Sequence, residues 1–330
     1  MLTLIQSLVE AFGPSGFEDA VRELIRAAIA PYIDEVSVDA LGNLIALKKG
    51  DGSGLTVMIA AHMDEIGLMV THITQEGFLK FTNIGGVMPH FLGGGRVLFS
   101  DGRQGVIASE RNTDRSKMLG LEEHFIDVGA GSRDDCPVTV GAPGIFWRPF
   151  LAQGNHLIAK SMDDRIGCAV AIEALRRLEY TPHTVYFVFT VQEEVGVRGA
   201  TTAANRLRPD VGISLDVTLT GDQPKAAPMA VKLGAGPAIK VKDSGMIAHA
   251  GLVRLMQHRA TEANLPYQLE VLTGGSTDAM GMQIAGPGCA AGCISIPCRY
   301  IHSPSDMVDL RDVENAAALL AEILSKPMAL

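Results

Sequence analysis

The sequence predicts an α/β fold: a three-layer domain on a mixed, mostly parallel sheet, interrupted by a β-rich insertion. Three observations predict it. Apolar runs such as Leu55 to Ala61 and Val185 to Val191 are uninterrupted, as in strands covered on both faces. Amphipathic stretches at helical spacing separate such runs, among them Val21, Leu24, Ile25 and Ile29, and the segment IGCAVAIEALRRL from Ile166. From about Val70 to Phe150 the pattern changes to short β segments punctuated by Gly85-Gly86, Gly93 to Gly95, Asp101-Gly102 and Gly129 to Gly131. A chain of 330 residues is long for one domain. We therefore expect one domain formed by residues 1–69 and 156–330, with residues 70–155 inserted into it.

Composition narrows the function classes. A hydrophobic share of 47% against 20% charged residues fits a globular chain with a large core. The net charge of −9, without a cluster of Lys and Arg to neutralise phosphates, excludes a nucleic-acid partner. No run approaches the length of a membrane span, and MLTLIQSLVEAFG lacks the basic segment and cleavage site of a signal peptide. Cys136, Cys168, Cys289, Cys293 and Cys298 form no small-secreted-domain pattern, so reduced thiols and a cytoplasmic location are expected. Cys289, Cys293 and Cys298 read as buried thiols rather than a metal cluster.

In chain order, Leu4, Ile5, Leu8 and Val9 start a helix that Gly13-Pro14 ends. Ser15 and Glu18 have the form of a capping box for the next helix. VSVDALGNLIALKKG reads as two short strands around Leu41-Gly42-Asn43. His62 then stands at the carboxyl end of the run Leu55 to Ala61, with Asp64 two positions on, a ligand beside a carboxylate that orients it. His72, His90 and His124 fall in the insertion and receive no catalytic role. Asp163 and Asp164 precede a strongly helical stretch; one suffices to compensate the helix dipole, leaving the other for a cation. Glu193 and Glu194 fall where the central strand ends, with Gly196 and Gly199 letting the chain turn away. Asp216 ends another apolar strand, where an unpaired charge is expensive. His302 follows the strand-like segment Ala290 to Ile296, and a helix from Val313 to Leu324 closes the chain.

His62, Asp163, Glu194, Asp216 and His302 thus give two imidazoles and three carboxylates at one inferred sheet edge. This set suits two divalent ions, zinc or cobalt better than magnesium, with manganese also compatible. Paired metals acidify a bridging water and clamp a tetrahedral oxyanion. Glu193, beside a ligand but free of the metal, is placed to take the water's proton and pass it to a leaving amine. The expected reaction is amide hydrolysis. Removal of amino-terminal residues from short peptides is the first reading, and deacylation of small N-acyl compounds is the alternative.

The motifs also resemble a known family, the dinuclear-metal aminopeptidases that assemble as tetrahedral dodecamers, some of which are labelled endoglucanase. The resemblance runs through GPSGFE (13–18), AHMDEIG (61–67), MDDRIGCAV (162–170), VQEEVGVRGA (191–200), LDVT (215–218), GGSTDA (274–279) and RYIHSP (299–304). It implies His62, Asp216, Glu194 and His302 as ligands, Asp163 as the bridging ligand, Glu193 as general base and Asp64 as the support of His62. It further implies a PDZ-like dimerisation domain as the insertion and a homododecamer built through dimers.

Overall fold

A computed structural model describes residues 1–111 and 118–330. Among them, eleven strands make one mixed sheet. Four of these lie side by side and run parallel: Thr184–Thr190, Thr56–His62, Val211–Thr218 and Ala290–Arg299. Their register pairs Thr190 with His62 and Asp216 with Ser295, so the carboxyl ends stand level. Alternation sends side chains to opposite faces. Val57, Ile59 and Ala61 meet Ile5, Ile25, Leu175 and Leu319 from helices on one side. Met58 and Ala60 pack with Ala203, Ala279 and Met282 on the other, under the helices Arg198–Leu207 and Asp278–Ile284. Both faces are therefore buried, which is why the strands read as continuous apolar runs.

Parallel pairing is narrower than the sequence suggested. Beyond the four central strands it joins only Ala238–Lys242 to Gln268–Val271. The strands Glu35–Val38, Leu44–Lys48, Leu151–Gln153, His156–Ala159 and Asp306–Asp309 all pair antiparallel. The reason lies in the connections: a parallel neighbour needs a long crossover, whereas Gly154-Asn155 joins Leu151–Gln153 to His156–Ala159 as a two-residue hairpin loop.

A second sheet closes on itself. Gly67–Ile73, Leu79–Ile84, Arg96–Phe99, Gln104–Ser109, His124–Asp127 and Pro143–Phe146 form a closed barrel around Leu68, Val70, Leu79, Phe81, Val97 and Ile107. Closure removes the open edges that such short, glycine-broken strands would otherwise expose.

The capping box does not form. The helix Asp19–Ile29 has Glu18 at its N-cap and no side-chain cap. Ser15 Oγ instead donates to Asp64 Oδ2 at 2.6 Å. Glu18 Oε1 accepts from Gly16 N at 2.7 Å and Gln192 N at 3.2 Å. Both side chains are drawn to partners that the next helix does not supply.

Candidate active site

The carboxyl edge of the four parallel strands collects the polar groups. Past Thr190 the chain leaves the sheet, and four successive amides are accepted by side chains from elsewhere. Val191 N donates to Asn43 Oδ1 at 3.0 Å and Gln192 N to Glu18 Oε1. Glu193 N and Glu194 N donate to Asp64 Oδ1 and Oδ2 at 3.0 and 3.2 Å. Gln192 is held at φ 56°, a left-handed conformation that a non-glycine residue keeps only when its surroundings enforce it. The turn that carries the two glutamates is thus fixed from below.

The imidazoles stand on either side of Asp163. His62 Nε2 lies 2.9 Å from Asp163 Oδ1, and His302 Nε2 lies 3.4 Å from Asp163 Oδ2. His302 Nε2 is also 3.2 Å from Glu194 Oε2, while Glu193 Oε2 is 4.0 Å from His62 Nε2. The other ring nitrogen of His62 lies 3.1 Å from the Asp64 carbonyl oxygen and 3.4 Å from Asp64 Oδ1. Asp164 turns the opposite way from its neighbour, accepting from His62 N at 3.3 Å and Gly167 N at 3.0 Å. One aspartate therefore serves the helix start and the other faces the imidazoles. Asp216, 5% exposed, lines the same cleft of about 660 Å³ as Asp163, Glu193, Glu194 and His302, and its Oδ1 accepts from Val217 N. No hydrogen bond or ion pair joins it to the other four among the described residues.

Three of these side chains stand close enough together to hold a metal ion. His62, Asp163 and Glu194 each offer one atom, all within 4.8 Å of one another. The electrostatics ask for more positive charge than the chain supplies. Burial raises the Glu193, Glu194 and Asp216 carboxyls, with the charge of Asp163 adding to the effect at Glu194 and Asp216. Burial should lower the imidazoles, yet hydrogen bonds to Asp163 and Asp64 raise His62 well above its usual value. Those to Asp163 and Glu194 raise His302 to about 11. The imidazoles are pressed into service as counter-ions. A mixed nitrogen and oxygen donor set with surplus carboxylate fits divalent metal.

The barrel reaches into this edge. A Cβ on Gly86 would stand 2.4 Å from His302 Nδ1, so only glycine lets the ring sit where it does. Sequence reading missed this contact, and it missed Asp278. That carboxylate, 1% exposed, accepts from Thr190 Oγ1, leaves Oδ1 buried without a partner among the described residues, and is pushed up to about 6 by burial. The only signal for it was its place in GGSTDA (274–279).

Comparison with known proteins places the whole chain in a family. A family model described as M42 glutamyl aminopeptidase matches residues 42–319. A lysyl aminopeptidase of Pyrococcus furiosus is 37% identical over 346 residues, covering 98% of this chain and 97% of the relative. The solved aminopeptidase APDkam598 of the archaeon Desulfurococcus kamchatkensis is 41% identical with a TM-score of 0.95, covering 99% of this chain and 94% of that one. The Pyrococcus horikoshii TET1 peptidase, described as able to assemble into a tetrahedron or a large octahedral shell, is 31% identical with a TM-score of 0.89, over 98% and 99% of the two chains. On the family match, and on relatives similar along nearly their whole length, the chain belongs to the M42 glutamyl aminopeptidase family and is a peptide hydrolase.

Proposed function

We propose that the protein is a metal-dependent aminopeptidase that removes amino-terminal residues from short peptides. The observation that carries this is the group His62, Asp163 and Glu194, with His302 touching two of its members and Glu193 at its margin without joining it. His62, Asp163, Glu194, Asp216 and His302 would hold two divalent ions, zinc or cobalt, with manganese also suited, Asp163 lying between the imidazoles as a shared ligand. When bound, the ions would supply the Lewis acidity that polarises the scissile carbonyl and acidifies the attacking water.

Glu193 would act as the general base, holding the water's proton and delivering it to the leaving amine. Its carboxylate stands 4.0 Å from His62 Nε2, beside the group and not within it, which leaves it free to carry a proton. Asp64 orients His62 through the ring nitrogen away from Asp163 and fixes the backbone of Glu193 and Glu194, so one buried carboxylate aligns both.

The chain is read as a catalytic domain of residues 1–69 and 156–330 with 70–155 inserted. The barrel begins before that boundary, at Gly67, while Leu151–Gln153 belongs to the large sheet; the barrel is proposed as a PDZ-like dimerisation unit, and dimers as the parts of a homododecamer. The tetrahedral assembly named for the Pyrococcus horikoshii relative supports this. Among the described residues, no helix is long and apolar enough to cross a membrane. The decisive experiment compares amino-acid p-nitroanilides with their N-acetylated counterparts, before and after adding zinc or cobalt. Metal-dependent cleavage confined to the free-amine series is expected. Cleavage of the acetylated series would replace this reading with deacylation.

A further inference from the structure

Beside the carboxylate cluster the cleft is apolar. Apart from that cluster, His302 and the hydroxyls of Thr218, Thr273 and Ser276, its larger lining side chains are Met88, Val217, Leu219, Leu272 and Ile301, and among the described residues no other charged side chain lines it. A second hollow of about 290 Å³ shares Leu219, Leu272 and Thr273 with the first. Its remaining wall, including Pro224, Pro228, Met229 and Val271, is also uncharged. Leu219 is 47% exposed, Met88 44% and Val271 59%. Large apolar side chains left wet around a concave site mark a place where something apolar binds.

The loop that bears this wall is preformed. Gly221 N donates to Val231 O at 2.8 Å. The loop's carboxylate, Asp222, is taken by Arg299 through two bonds of 3.2 and 2.7 Å and by Leu233 N at 3.2 Å. Neither Asp222, Arg299 nor Lys225 lines either hollow. Asp222 and Arg299 are thus spent on holding the loop.

We propose that this cleft selects peptides whose amino-terminal residue has an uncharged, apolar side chain, with Leu219 and Leu272 as the specificity-determining residues. The proposal rests on the aminopeptidase reading above. Leu219 and Leu272 line the same cavity as Glu193 and Glu194, so they meet the side chain nearest the scissile bond. A lysine or glutamate side chain there would leave water without an opposite charge to receive it, whereas an aliphatic one gains contact over its whole length. A glutamate would also approach a site already rich in carboxylates.

The test uses metal-reconstituted protein and two readouts. The first is hydrolysis of leucine, methionine, lysine and glutamate p-nitroanilides; the second is calorimetric binding of the leucine, lysine and glutamate hydroxamates. Leucine and methionine should exceed lysine and glutamate in kcat/KM by about 10- to 100-fold, and leucine hydroxamate should bind tighter by a similar factor. Leu219→Asp, at a position exposed enough to accept a charge, and Leu272→Asp should each move the ratio of lysine to leucine upward by about 10-fold or more. A wild-type preference for lysine or glutamate, a flat panel, or unchanged ratios in both variants would overturn the proposal while leaving the aminopeptidase reading intact. Selective binding of leucine hydroxamate without hydrolysis of any p-nitroanilide would support the selectivity and overturn that reading instead.

Discussion

Glu65 and Glu194 both bury a carboxylate beside the carboxyl edge of the central sheet, but their surroundings differ. Glu65, 2% exposed, receives Lys160 Nζ at 2.9 and 2.8 Å on its two oxygens and Arg165 Nη2 at 3.2 Å. Arg165 also donates to the carbonyls of Leu8, Ala11, Gly13 and Met63, so the first helix, the loop after it and the central strand's end are tied to one guanidinium. Around Glu194 stand Asp163, Glu193 and Asp216, with only two imidazoles to answer them, beside an open cleft. In the first region the cations are covalently part of the chain and both oxygens of the carboxylate are met. In the second the deficit is left for mobile cations to fill. The contrast separates a buried structural network from a site, although both show as charged residues in an apolar sequence.

The largest effect that would sharpen the contrast is on turnover. Glu193→Gln should lower kcat by about 10²- to 10⁴-fold while elemental analysis finds metal retained, because Glu193 stands at the margin of the ligand group. Wild-type turnover in this variant would remove Glu193 from the chemistry.

Next come two substitutions that should fail in opposite ways. Arg165→Met leaves Glu65 with a single cation and takes a donor from four carbonyls, of which Ala11 keeps Lys160 Nζ and Gly13 keeps Glu65 N, and should cost about 3 to 5 kcal/mol in denaturant unfolding. His302→Ala should lose metal occupancy with less change in the stability of the metal-free protein, since Asp163 keeps His62 and Glu194, raised by burial, can take up a proton at the edge of the cleft. Equal loss of stability in both would erase the distinction between the regions.

A smaller effect tests the barrel's part. Gly86→Ala drives a methyl group against the His302 ring, so it should reduce metal affinity or kcat by about 10- to 100-fold, the range typical of disturbing a ligand's support. Wild-type behaviour would mean that the loop yields and that His302 is not held by it.

The smallest expected effect is a slope. Burial pushes the Lys160 ammonium down to about 8, outweighing the pull of Glu65. In the unfolded chain the same group titrates near 10.5. Between those values the unfolded state binds the extra proton, so this residue makes stability rise with pH, by up to about 1.4 kcal/mol per pH unit. Lys160→Met should flatten that rise in urea titrations run from pH 8 to 10.5. A rise of the same steepness would assign it to other groups.

Much of this was legible in the chain itself. The buried parallel strands announce themselves because residues covered on both faces must be apolar in succession, and His62, Glu193, Glu194 and Asp216 stand out as the polar residues at which those runs stop. Of the pair Asp163 and Asp164, the sequence reading assigns Asp163 to the site, and it is Asp163 that faces the imidazoles while Asp164 accepts from Gly167 N at the helix start. The wider antiparallel pairing was hidden because a strand's pattern records its burial and not the direction of its neighbour. The capping box failed for a related reason: Ser15 and Glu18 fit a local motif, but Asp64 and Gln192 compete for them from 49 and 174 positions away.

The sequence by itself determined the elements, their amphipathic faces and the residue types available at the sheet edge, since each depends on neighbours a few positions away. Only the tertiary structure decided that Gly86 of the barrel yields its space to His302, and that Asp64 holds both His62 and the turn of Glu193 and Glu194. It alone brought Leu219 and Leu272 to one wall. Such contacts join segments tens to hundreds of residues apart, and packing and chain topology set their distances where local propensity has no reach.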